Sequence, residues 1–265
     1  MLKLYHGVTS VCSIKVRIAL AEIGLDYEEE QLDLQRGDQF AEEYRNINPA
    51  AVVPTLIDDG LVLVESSLIV DYLDRTYNAS RLMPVGRARE AAARHWLLRC
   101  LAIHGAINTL TFATVMRKRQ LASNTPQQIE ALLARMPDPV ARMKRRDLYV
   151  NGLASAHVGQ ALMHLRSTFH DMGKALGEGA WVSGPEFGLS DIALVSYIDR
   201  LERQGFDGLW RDVEPRIADW LAAMQARHSY QTEVAARIPA RIAEDLRRDG
   251  AQFFNELREA WHAPA

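Results

Sequence analysis

Apolar residues in the opening segment 2–6, Leu-Lys-Leu-Tyr-His, fall at every second position, the period of a half-buried strand. From Val16 the spacing turns helical through Ile18, Ala19, Leu20 and Ile23, and Gly24 stands where a left-handed residue closes a helix. Residues 26–34 read as a second strand. Two apolar runs, 51–57 and 61–64, flank Asp58-Asp59-Gly60, and an Asp-Gly pair between such runs predicts a hairpin. Glu65-Ser66-Ser67 then opens a helix with Leu68, Ile69, Tyr72 and Leu73 on one side. The predicted order is βαβ, an irregular segment, a ββ hairpin and a helix. A βαβ unit implies parallel strands joined by a right-handed crossover.

Beyond about Gly86 the strand signals vanish. Helical spacing dominates 88–119, 139–153, 155–176, 189–203, 214–227 and 238–261. Segment 80–85, with Met83-Pro84, reads as a linker between an α/β domain over 1–80 and an all-helical domain over 86–265. At Phe187-Gly188-Leu189-Ser190-Asp191-Ile192, Gly188 suits the N-cap and Asp191 the third helical position, from which its carboxylate reaches back to the cap N–H. Phe187 and Ile192 form the accompanying staple, so Asp191 is read as structural. The late helix 238–261 is expected either to cover the cleft or to brace the core. No internal repeat or low-complexity tract interrupts the chain.

Composition narrows the class. The 265 residues are 48% hydrophobic and 25% charged, which is ordinary for a soluble globular protein with a sizeable core. A formal net charge of -3 gives no case for nucleic acid or an anionic membrane as partner. The two cysteines, Cys12 and Cys100, cannot build a disulfide framework, and a reducing cytoplasm is expected. The N-terminus lacks the pattern of a secretory signal, and no apolar run reaches the roughly 18 residues needed to span a bilayer. Eight scattered histidines show no ligand spacing, so no metal is expected.

Candidate chemistry gathers at the first helix. Ser10, Cys12 and Ser13 stand at its mouth, where the dipole favours an anion. Ser10 suits an N-cap or a hydroxyl donor, two roles that compete for one side chain. Cys12 suits a reactive thiolate or a small buried hydrophobe. Cys100, in the apolar run 96–103, reads as core.

Five short stretches in this order carry a resemblance. They are Ser10-Val11-Cys12-Ser13 leading into Val16-Arg17-Ile18-Ala19-Leu20, then Asn48-Pro49, Val53-Pro54-Thr55-Leu56, Glu65-Ser66, and the helix start Gly188 to Ile192. Together they resemble the glutathione transferase superfamily over nearly the whole chain. The Ser-x-Cys-Ser opening is most similar to the zeta class and to tetrachlorohydroquinone reductive dehalogenase, with Val11 in place of a common serine. The insertion-like stretch 117–146 resembles bacterial β-etherase relatives.

The resemblance implies a thioredoxin-like N-terminal domain that binds glutathione as co-substrate and an all-α domain that covers the electrophile. It implies a homodimer and a detoxifying transferase acting on aromatic, halogenated, ether or unsaturated compounds. A glutathione-binding carrier without turnover is the alternative. A free thiol with a pKa of about 8.5 is barely ionised at neutral pH, and lowering it by two units takes about 2.7 kcal/mol. Ser10 is the expected donor to the glutathione sulfur. Cys12 would serve a reductive step, forming a mixed disulfide that a second glutathione clears. Val53 and Pro54, expected as a cis-proline turn, would pair with the tripeptide backbone. Glu65 and Ser66 would hold its γ-glutamyl end, and Gln39 its glycyl end. The electrophile would lie against His104, Asn108, Phe112, Met116 and Arg117, a turn-by-turn series that as a bare pattern reads as core before pocket. Arg142, Lys144, Arg145 and Arg146 read as a solvated face or as a lip for an acidic substrate.

Overall fold

The computed structural model describes residues 1–211 and 213–262. The alternation at the N-terminus builds β1 (Leu2–His6), whose first, third and fifth side chains are buried. It pairs in parallel with β2 (Glu28–Gln31) and antiparallel with β3 (Thr55–Asp58), and β3 pairs with β4 (Leu61–Val64), giving the order β2-β1-β3-β4. The second strand is shorter than the span 26–34 expected for it, because it forms an exposed edge paired on one side only. Asp59 and Gly60 both have positive φ, 43° and 91°, as a two-residue hairpin turn requires.

Three helices accompany the sheet. Helix α1 (Val11–Ile23) makes the crossover and ends at left-handed Gly24 (φ 78°). Helix α2 (Glu42–Ile47) occupies part of the stretch expected to be irregular. Helix α3 (Ser66–Tyr77) follows β4 and packs on α1.

The remaining chain is helical: α4 (Arg87–Ala113), α5 (Val115–Ser123), α6 (Pro126–Ala134), α7 (Pro139–Asn151), α8 (Ala156–Glu178), α9 (Leu189–Arg203), α10 (Gly208–Arg211) and α11 (Arg216–Gln225). A short α12 (His228–Tyr230) runs into a π-helical turn at Gln231–Ala235, followed by α13 (Ala240–Ala251) and α14 (Phe254–His262). Helices α8 and α9 flank α4, and α9 also packs against α1. One apolar core therefore runs from Leu4, Val16 and Leu20 through Ile107 and Leu194 to Phe169 and Trp210.

Two long helices expected from spacing are broken. The span 88–119 divides at Thr114 (φ −119°, ψ −100°), and α4 and α5 meet at a 43° bend. Thr114 Oγ1 donates to the Leu110 carbonyl at 2.6 Å, a back-bond that bends helices. The span 238–261 divides between α13 and α14. Near that break Gly250 lies against the backbone of Gln204, where an added Cβ would stand 2.0 Å from the carbonyl oxygen. The late segment braces the core: Trp261 is buried with its ring 5.8 Å from Phe169, which in turn sits 5.7 Å from Trp210. The stretch 117–146 is ordered by capped prolines. Thr125 and Gln128 form a capping box ahead of Pro126, and Asp138 caps the helix beginning at Pro139. Among the described residues, no single helix is long and apolar enough to cross a membrane.

Candidate active site

The loop that leads into α1 is held from below by two arginines. Arg17 is fully buried and donates to the carbonyls of Gly7 (3.4 Å), Val8 (3.0 Å) and Glu233 (2.9 Å). Burial drops its guanidinium pKa to about 10. Arg200 of α9 donates to the Thr9 carbonyl. Clamped in this way, the loop presents Ser10 as the N-cap of α1, with its side-chain oxygen accepting from the Ser13 N–H at 3.3 Å. That bond uses an oxygen lone pair and leaves the hydroxyl proton free, so capping and donating are compatible in Ser10. The backbone N–H groups of Val11 and Cys12 belong to the first helical turn and have no acceptor among the described residues. This end of α1 is open and positive.

Cys12 belongs to that first turn. Its Sγ lies 3.4 Å from His104 Nδ1 and 3.9 Å from the Tyr197 hydroxyl. Burial pushes the thiol pKa up, but the charge and hydrogen bond of His104, the charge of Lys15 and the Ser66 hydroxyl outweigh it and bring the thiol to about 7. The reciprocal interaction with Cys12 raises His104 above its ordinary value against the opposing effect of burial. Lys15 is fully buried and donates to Ser67 Oγ and to the Tyr197 hydroxyl, both at 3.0 Å. An ammonium only donates, so the Tyr197 oxygen accepts from Lys15 and its hydroxyl proton can reach the Cys12 sulfur.

Helix α1 thus brings Cys12 to His104 on α4, to Tyr197 on α9 and to the serines that begin α3. His104, expected as a wall of the electrophile site, stands against the thiol itself. Lys15 and Tyr197 were missed in the sequence. The signal for Lys15 was a cation inside the apolar stretch Ile14 to Leu20; Tyr197 gave none.

The other expected residues fall into two groups. Glu65 caps α3 with φ 71° and ψ 106°, a left-handed backbone held by a non-glycine residue, with its side chain exposed beside buried Ser66. The Val53-Pro54 peptide is cis. The turn before it is tied by Asn48 Nδ2 and the Tyr44 hydroxyl, which donate to the Val52 carbonyl at 2.9 and 2.5 Å. Gln39, in the short turn Asp38–Phe40, has a buried Oε1 with no partner among the described residues. Arg135 donates to the neighbouring Gly37 carbonyl at 2.8 Å. Along α4, His104, Asn108 and Phe112 are half-buried between fully buried Ile103, Ala106, Ile107, Leu110 and Thr111, so the series is a stripe partly open to the outside. Arg145 of α7 donates to Asn108 Oδ1 at 3.1 Å and lies over the Phe112 ring. Met116 and Arg117 lie past the bend in α5, where Arg117 donates to the Tyr149 carbonyl at 2.9 Å. Arg146 pairs with Glu130 on an exposed face. Among the described residues no three histidine, cysteine, aspartate or glutamate side chains gather as a metal site.

The sheet order, the helical second half and the open end of α1 define a thioredoxin-like domain joined to a helical one. Residues 1–75 match the glutathione S-transferase N-terminal domain family and residues 127–223 match its C-terminal domain family. The chain belongs to the glutathione S-transferase superfamily, with zeta-like, dehalogenase-like and β-etherase-like relatives.

It is 23% identical to the tetrachloro-p-hydroquinone reductive dehalogenase of Sphingobium chlorophenolicum over 235 residues, 86% of this chain and 94% of that one. It is 46% identical to glutathione S-transferase Z1 of Arabidopsis thaliana over 83 residues, 31% of this chain and 38% of the relative. It is also 42% identical to maleylacetoacetate isomerase of Mus musculus over 93 residues, 34% of this chain and 43% of the relative. The match thus spans about two fifths of these two zeta-like relatives. In fold, the chain is similar to β-etherase LigF of Sphingobium sp. strain SYK-6, with a TM-score of 0.76 and 22% identity over 89% of this chain and 99% of that one. A glutathione transferase homologue from Sulfitobacter, solved with bound glutathione, aligns with a TM-score of 0.63 and 23% identity over 88% and 96% of the two chains.

Proposed function

We propose that this chain is a glutathione-dependent transferase that activates the thiol of glutathione for attack on a small electrophile: an aromatic, halogenated, ether or unsaturated compound. Cys12 acts as a second, redox-active thiol. The observation that carries this reading is the Cys12 Sγ to His104 Nδ1 contact of 3.4 Å at the open N-terminus of α1.

In the first step the Ser10 hydroxyl and the free N–H groups of Val11 and Cys12 stabilise the glutathione sulfur as a thiolate. The N-terminus of α3 and the Glu65 carboxylate receive the γ-glutamyl carboxylate and ammonium, and the turn at Val53-Pro54 receives the cysteinyl backbone. Gln39 receives the glycyl end. The thiolate displaces a halide or an ether oxygen, or adds to an unsaturated carbon. In the reductive branch the Cys12 thiolate attacks the sulfur of the glutathionyl adduct. A Cys12–glutathione disulfide forms, the carbon–sulfur bond breaks, and its electron pair leaves with the carbon, which takes a proton from His104. A second glutathione exchanges with the mixed disulfide, releasing oxidised glutathione and restoring the Cys12 thiolate. The atoms balance as two glutathiones oxidised for one substrate reduced.

Cys12→Ser tests the assignment. Conjugation should persist, while the glutathione adduct on the protein, read by intact-protein mass spectrometry, disappears together with any reduced product. Loss of simple conjugation in this variant would move the first step to Cys12. Binding to glutathione-agarose without turnover of any electrophile in a broad panel would leave only the carrier reading. A homodimer in the cytoplasm belongs to the same proposal. Its support is the outward face of α4, where Leu98 and Leu101 are 71% and 60% exposed, and light scattering at micromolar concentration showing a monomer would remove it.

A further inference from the structure

Helix α7 delivers a cation to the stripe that starts at the reactive thiol. Arg145 donates to Asn108 Oδ1 at 3.1 Å, and its guanidinium carbon lies 3.0 Å from the centre of the Phe112 ring. Phe112 is in turn 6.5 Å from the Tyr149 ring on the same side of α7. Burial lowers the Arg145 pKa, and only neutral Tyr149 opposes this. The adjacent Lys144 is lowered by burial and then by Arg145 itself. Among the described residues no carboxylate pairs with Arg145 or Lys144, whereas Arg146, on the exposed face of the same helix, has Glu130 at 2.6 Å. A desolvated guanidinium without a counter-charge is costly to keep and attracts whatever anion can enter. It presents a planar fork suited to a carboxylate, and Asn108 and the Tyr149 hydroxyl engage only part of its five N–H groups.

The spacing sets a length. His104 and Asn108 are one helical turn apart on α4, and Phe112 is one turn further. At 1.5 Å per residue the arginine sits roughly 6–12 Å along the helix from the histidine that touches Cys12. The lower end of that range is the distance from a benzylic carbon across its ring to a para carboxylate.

We propose that the electrophile of this site carries a carboxylate about one aromatic ring away from the carbon that reacts, and that Arg145, held by Asn108 and stacked on Phe112, recognises it. This rests on the reading of Cys12 and His104 as the reactive centre, and it deepens that reading by naming the substrate class.

Isothermal titration with non-reacting thioethers separates the two claims. S-(4-carboxybenzyl)glutathione should bind the wild-type protein about 10- to 100-fold tighter than its methyl ester or S-benzylglutathione, the range for a charged, forked contact. The 2-carboxybenzyl isomer, whose carboxylate falls short of the arginine, should bind like the ester. Arg145→Met should abolish the preference and Arg145→Lys restore part of it. Asn108→Asp, which supplies an internal counter-charge while leaving the arginine stacked, should abolish it in a protein that keeps its thermal transition. Equal binding of acid and ester by the wild type, or a preference that survives both Arg145→Met and Asn108→Asp, overturns the proposal and leaves the glutathione reading standing. Absence of binding by every thioether overturns both.

Discussion

Helices α1 and α9 pack against each other, and their N-termini solve the same problem in opposite ways. At α9, Asp191 is fully buried and accepts from the N–H groups of Val182 (2.8 Å), Ser183 (3.3 Å) and Gly188 (3.0 Å) and from Trp220 Nε1 (2.8 Å). Leu189 N–H goes to the Leu82 carbonyl at 2.9 Å and Ser190 N–H to Ser183 Oγ at 3.2 Å. Every donor of that first turn is taken within the protein. At α1 only the third position is satisfied, by Ser10, and no acidic residue sits in the first turn. The closed end holds the helical domain together, and the open end is where an external anion can be stabilised. A helix N-terminus becomes a site only where its own sequence declines to fill it.

Removing the closed end's carboxylate should have the largest effect. Asp191→Ala strands four buried donors at once, a loss of about 4 kcal/mol or more. Thermal unfolding should shift down by roughly 10 °C or more for a chain of this size. Burial raises the Asp191 pKa against the pull of its hydrogen bonds from Trp220, Ser183, Val182 and Gly188. A variant that melts within about 2 °C of the wild type would show that other groups close this end.

The difference between the two ends was unequally legible in the sequence. The capping box at Gly188 and Asp191 was readable because its partners lie three residues apart, and the same holds for the Asp59-Gly60 turn. The break at Thr114 was not, because threonine is compatible with helical spacing and bends the helix only when its hydroxyl turns back onto Leu110. The pair Cys12 and His104 is separated by 92 residues, and Lys15 and Tyr197 by 182. No local pattern encodes such contacts; they follow from α4 and α9 being laid across α1. Hence the sequence offered His104 for the electrophile wall without its thiol partner, and it could not separate Arg145 from its neighbours Arg142, Lys144 and Arg146, read together as a solvated face or an acidic-substrate lip.

At the open end the next effect is electrostatic. His104→Gln removes the largest influence that holds the Cys12 thiol at about 7 against burial, so the thiol pKa must rise. The thiolate is the reactive form, and its fraction therefore falls at every pH below the new value. With a rise to about 8.5, alkylation of Cys12 by iodoacetamide at pH 7 should slow roughly 15-fold, while the plateau rate above pH 9.5 stays close to wild type. A midpoint that remains near 7 in the variant would assign the lowered pKa to Lys15 and the helix end instead.

Ser10 gives the smallest effect and distinguishes its two compatible roles. Ser10→Ala removes both the cap to Ser13 and the hydroxyl proton, whereas Ser10→Gly costs only a few tenths of a kcal/mol as a cap and removes the proton just as completely. The alanine variant should lose about 1 kcal/mol, or roughly 2–4 °C in thermal unfolding, and the glycine variant much less. If the hydroxyl also donates to the glutathione sulfur, both variants should move the pH midpoint for conjugation upward by the same amount despite their unequal stability. An unchanged midpoint in both would reduce Ser10 to a cap and leave the two free N–H groups of α1 as the whole of the open end.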